Sequence, residues 1–107
     1  MYFDEFKASV NADYPPEKIN KELKALWWDA KGNWEKAHRI VQEMNNTMAA
    51  WVHAYLHRKE GDLSNASFWY TNAGRKMSTF SLEEEWDEIV KAILDKETRI
   101  ENHFISG

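Results

Sequence analysis

The sequence predicts an all-α fold of five to six helices, and three observations carry that prediction. The internal glycines are Gly32, Gly61 and Gly74, each just after a stretch with apolar residues at helical spacing. Glycine accepts the left-handed conformation in which helices end, so all three read as stop signals. The residue after the first two is Asn33 or Asp62, whose side chain can cap a new helix. No stretch keeps an apolar–polar alternation of period two, so no sheet is expected.

The elements follow in order. Phe3, Phe6 and Val10 share a helical face and predict a first helix over about 2–11. Pro15 and Pro16 suit only the first turn of a helix, which starts the second at about 16 and runs it to 31 along Ile19, Leu23, Leu26, Trp27 and Ala30. Asn33 caps a third, to about 44, carrying Trp34, Ala37, Val41 and Met44 on one side. Asn45 and Asn46 break the pattern, and Thr47 is placed to cap a fourth over 48–60. Asp62 caps a fifth over 63–73, and 75–80 is a connector. Ser81 and Glu84 form a capping box, in which each side chain satisfies the other's free backbone N–H. Glu83, Glu84 and Glu85 then lie at the positive end of the last helix's dipole. Trp86, Ile89, Val90, Ile93, Leu94 and Ile100 extend its apolar stripe over about 82–100.

The middle of the chain repeats itself. With Gly32 laid on Gly61, Ala25 falls on Ala54, Leu26 on Tyr55, Asn33 on Asp62, Trp34 on Leu63, Ala37 on Ala66 and Val41 on Tyr70. Alanine lets two helices approach closely, glycine makes the short turn, and the large residue after the cap fills the elbow. The spacing of Ala54, Gly61, Leu63, Ala66, Tyr70 and Ala73, and of Ala25, Trp28, Gly32, Trp34 and Ala37, resembles the tetratricopeptide or Sel1-like helical hairpin. The resemblance covers about 21–44 and 50–74. It departs from the family in a period below the usual ~34 residues, in His57 standing at an aromatic position, and in lacking a closing proline. The string from Trp51 to Ala66 also resembles small bacterial proteins of unassigned role. The resemblance implies two stacked hairpins with the first helix and the long last helix closing the two ends, within a single domain spanning 1–107. The repeat positions are structural, so it supplies no catalytic residue.

Composition narrows the function classes. At 107 residues, 43% of them hydrophobic, the chain builds one core. Six tryptophans are large apolar surfaces with an N–H that needs a partner when buried. A net charge of −4 argues against nucleic acid, which calls for a concentrated basic face. From Ser81 onward eight acids face three bases, the pattern of a solvated helix face. Absence of cysteine removes disulfides, thiolate catalysis and sulfur metal sites. The start lacks the basic and apolar regions of a secretory signal, and no apolar run approaches the ~20 residues of a membrane span. The expected location is the cytoplasm.

Two constellations carry candidate chemistry. His53 and His57 stand at i, i+4 on the fourth helix and face the same way, a spacing able to hold zinc with Glu60 as a third ligand and His38 or Asp62 as a fourth. The competing reading makes both packed histidines, since His57 falls on an aromatic position of the repeat. The second constellation is Arg58, Arg75 and Lys76 with Phe68, Trp69 and Tyr70. Successive helical residues differ by about 100°, so these three aromatics cannot all face one core. Beside cations, one of them can stack on an anionic or peptide ligand. Lone glycines exclude a phosphate loop, and no strand–turn–helix elbow presents a nucleophilic serine.

The function expected from the sequence is non-catalytic binding of an unidentified protein or peptide through His53, His57, Arg58, Trp69 and Arg75, with no cofactor. The alternative is a small metal-dependent enzyme or metal-binding protein built on His53 and His57. Self-pairing as a homodimer through the stripe of the last helix is a third possibility.

Overall fold

The computed structural model describes residues 1–106, with side chains described through 97. Six helices follow one another, α1 (Phe3–Ser9), α2 (Lys21–Ala30), α3 (Trp34–Gln42), α4 (Thr47–Glu60), α5 (Leu63–Asn72) and α6 (Leu82–Ser106), and no strand occurs among the described residues.

Side-chain caps start the helices. Asn20 accepts from the Leu23 N–H (2.9 Å), Asn33 from Lys36 (3.1 Å), Asn46 from Ala49 (2.8 Å) and Asp62 from Asn65 (3.3 Å). Two of these caps correct the sequence reading. The second helix begins at Lys21 rather than near Pro16, because Asn20 supplies a cap that the prolines lack. The fourth is capped by Asn46, and Thr47 is its first residue. The capping box of Ser81 and Glu84 is present, with bonds of 3.1 and 3.4 Å. Ile100 lies beyond the described side chains.

The elbows at Gly32 and Gly61 form as expected. Both glycines sit at φ +87°, where a Cβ crowds the following carbonyl. Each elbow closes with the same pair of bonds. Gly32 N–H donates to Asp29 O and Asn33 N–H to Trp28 O, while Gly61 N–H donates to Arg58 O and Asp62 N–H to His57 O. These bonds satisfy the last carbonyls of α2 and α4. The paired alanines Ala25, Ala54, Ala37 and Ala66 are all fully buried, consistent with close packing of α2 on α3 and of α4 on α5.

The helices make three layers. α3 and α5 form one outer layer, α2 and α4 the middle, and α6 with α1 the other outer layer. The terminal helices therefore cap one face together rather than one end each. α1 rests on α6 through a Phe6–Trp86 stack at 5.9 Å, and Trp86 Nε1 donates to Leu26 O at 2.9 Å, which ties α6 to α2. Trp86, Ile89, Val90, Ile93 and Leu94 are buried within the chain. As far as Leu94, the stripe offered for self-pairing is already covered.

Two buried carboxylates brace this packing. Glu85, on α6, accepts from Trp51 Nε1 (3.1 Å), Tyr70 Oη (2.6 Å) and Arg58 Nη1 (2.8 Å), which joins α4, α5 and α6 at one point. Asp29, on α2, accepts from Tyr55 Oη (3.0 Å) and Lys59 Nζ (2.9 Å) of α4. A buried carboxylate is tolerated only when its lone pairs are used in this way.

Candidate metal centre

α4 passes between α3, α5 and α6, and two of its faces carry different chemistry. Toward α6 it presents Arg58 to Glu85. Toward α3 and α5 it presents His53 and His57, one turn apart and both buried. α3 presents Trp34 and His38, also one turn apart, to the same space. Trp34 Nε1 donates to Leu56 O at 2.7 Å, which fixes the spacing of α3 on α4.

Three of the chain's four histidines meet there. His38, His53 and His57 each offer a ring nitrogen, and those atoms lie within 4.8 Å of one another. The imidazole centroids form a near-equilateral triangle with sides of 4.7 Å (His38–His53), 4.8 Å (His53–His57) and 5.0 Å (His38–His57). His38 Nε2 and His53 Nε2 are 3.0 Å apart. Indoles hold two of the rings in place. Trp69 lies parallel to His53 at 4.0 Å, and Trp34 parallel to His38 at 4.8 Å.

The protons of this cluster can be assigned from its partners. Glu60 Oε1 accepts from His57 Nδ1 at 2.6 Å, so a proton sits on Nδ1 and Nε2 is the atom left to face the other rings. The His38 and His53 Nε2 atoms, 3.0 Å apart, are at the distance at which one donates its proton to the other. His53 Nδ1 is buried with no hydrogen-bond partner among the described residues, so it is either an unused donor or an unused lone pair. Burial, and then the neighbouring His38 and His57, pushes the His53 imidazole down to about 4. Burial, followed by His57, lowers His38 as well, against the opposing pull of Glu60. Both rings are thus kept neutral, the form that ligates a metal.

A tetrahedral ion with N–metal bonds of ~2.0–2.1 Å places its ligand nitrogens roughly 3.3 Å apart and the ring centroids roughly 5 Å apart. The His38–His53 contact of 3.0 Å and the ring triangle of 4.7–5.0 Å are close to those values, and the three ligand nitrogens as a set lie within 4.8 Å of one another. Glu60 on His57 Nδ1 is the carboxylate–histidine pairing that orients imidazole ligands.

The residues singled out by sequence divide into two groups. His53, His57 and Trp69 come together here. Glu60 arrives as a partner of His57, and the sequence reading offered it as a direct ligand. Asp62 is occupied in capping α5. Arg58 instead binds Glu85 and the Phe80 carbonyl. Arg75 stacks on Trp51, 3.4 Å from the ring centroid, with Glu88 at 3.6 Å. Both arginines therefore lie toward α6, away from Trp69. Of the three successive aromatics, Tyr70 is buried, Trp69 half-buried and Phe68 exposed. Sequence reasoning missed Asp29 and Glu85 as buried acids, since neither lies in a local motif. A cavity of about 620 Å³ has Asp29, Tyr55 and Trp86 among its walls, but its cations Lys7 and Lys59 are paired with Asp87 and Asp29. No helix among the described residues is long and apolar enough to cross a membrane. No family model, curated protein or solved structure matches the chain.

Proposed function

We propose that this domain is a metal-binding protein that holds one divalent ion of the zinc class on His38, His53 and His57. The observation that carries the reading is the triangle of imidazoles with ring nitrogens within 4.8 Å. An ion would take the place of the proton between His38 and His53, and draw on the Nε2 of His57. Three imidazoles without thiolate suit zinc, copper, nickel or iron rather than calcium or magnesium, which prefer oxygen ligands. The two hairpins, read as tetratricopeptide-like, serve as the scaffold that aligns α3 against α4.

Peptide binding through Arg58, Trp69 and Arg75 draws less support, because each of the three is engaged within the chain and they do not share one face. The test is calorimetric titration of chelator-treated, untagged protein with Zn²⁺. One ion per chain is expected, with affinity at least tenfold weaker in both His38→Ala and His57→Gln. Weak uptake that is identical in the parent and both variants would show that the imidazoles are only packed.

A further inference from the structure

We infer that the ion on this triad keeps a fourth position open toward a cleft on α3 and takes a small monovalent anion there, a carboxylate by preference. This inference rests on the proposed metal reading and adds to it the class of ligand that completes the site.

The donor count is the first argument. Among the described residues, the group that includes His38 contains His53 and His57 and no carboxylate. Glu60 and Asp62 gather with His57 in a second group apart from His38 and His53, where Glu60 Oε1 bonds His57 Nδ1 at 2.6 Å and Asp62 caps α5. Closed structural zinc sites use four protein ligands, whereas sites with three keep a position for an exchangeable ligand.

The second argument is access. His53 and His57 are buried, while His38 is half-buried. His38 also lines a cleft of about 280 Å³ with Trp34, Glu35, Arg39 and Gln42. His38 is the member of the triad that lines this cleft, so the route inferred for an exchanging ligand runs past it. The cleft is large enough for an anion of a few heavy atoms.

Charge is the third. An imidazole that ligates a metal carries no charge of its own, so three of them leave the ion's 2+ charge uncompensated, and Glu60 offsets one unit of it through His57. In the cleft, Glu35 and Arg39 oppose each other. The net charge near the open position is one positive unit, which a monoanion neutralises. Arg39 has no ion-pair partner among the described residues, so its guanidinium is available for a paired contact with a carboxylate.

The experiment uses the full chain loaded with one equivalent of Co²⁺, whose visible absorption reports coordination. Acetate and azide are titrated separately. A saturable change in the visible band at millimolar anion is expected. Arg39→Gln should weaken acetate several-fold and leave cobalt affinity unchanged. A well-formed cobalt spectrum that depends on His38 and His57 but ignores both anions would overturn the open position while the triad stands. A cobalt spectrum identical to that of the aqueous ion would overturn the metal reading itself. If Arg39→Gln leaves acetate affinity unchanged, Arg39 does not contact the anion and that part of the inference falls.

Discussion

Removing the Glu85 carboxylate should cost a large part of the stability on the α6 side of α4. In Glu85→Ala, the Trp51 indole N–H and the Tyr70 hydroxyl lose their acceptor, and both side chains are almost fully buried. Each orphaned donor costs about 1–3 kcal/mol. Arg58 is 17% exposed and keeps the Phe80 carbonyl, so its charge recovers part of its solvation. The expected total is about 3–5 kcal/mol, the range found when one partner of a buried pair is removed. That is a large part of a domain's usual ~5–15 kcal/mol. Urea unfolding followed by far-ultraviolet circular dichroism measures it. Glu85→Met carries a further test, because it keeps the volume while removing the acceptor. Tyr70→Phe should cost about 1 kcal/mol in the parent and nothing, or a gain, in the Glu85→Met background. A Glu85→Ala loss below about 1 kcal/mol, or an equal Tyr70→Phe cost in both backgrounds, would refute the claim that this carboxylate joins three helices.

Further outcomes are expected elsewhere. In metal-free protein, the His53 imidazole titrates at about 4 when folded and at ~6.5 when unfolded. Its contribution is complete above the unfolded value and is lost as pH falls through the folded one, about 2–3 kcal/mol between pH 7.5 and 4.5. Urea curves at the two pH values should show this loss in the parent and a smaller one in His53→Phe; identical losses would place the titration elsewhere. Gly61→Ala meets no atom within 4 Å, so its cost is the backbone's alone, about 1–2 kcal/mol, and Gly32→Ala should match it in thermal melts. Glu60→Gln should lower Zn²⁺ affinity by about tenfold with little change in unfolding free energy, whereas Asp62→Asn should leave affinity alone.

The parts of the fold that read clearly in the sequence are those set by local chemistry. Gly32 and Gly61 mark elbows because few other residues accept their backbone conformation, and Asn33 and Asp62 restart helices through bonds three residues on. The start of α2 was misplaced because proline at a first turn and Asn20 as a cap are both reasonable locally. Only the tertiary frame, in which Asn20 also donates to Glu97, favours the second. His53 and His57 were visible as a pair because a helix places i and i+4 together. Their third partner, His38, lies fifteen residues away on another helix, and periodicity alone does not position it. Glu85 shows the same limit more sharply. It sits in an acidic run that reads as a solvated face, yet it is fully buried, because its helix turns that one position toward Trp51, Arg58 and Tyr70.

The central claim concerns the imidazole triangle between α3 and α4. Metal analysis of untagged protein, purified without chelator and then dialysed against micromolar Zn²⁺, tests it most directly. One ion should remain per parent chain after gel filtration, and fewer than about a tenth as many in the His38→Ala His57→Gln double variant, in keeping with the loss of two of three ligands. Equal metal content in a folded double variant, or none in the parent, would contradict it.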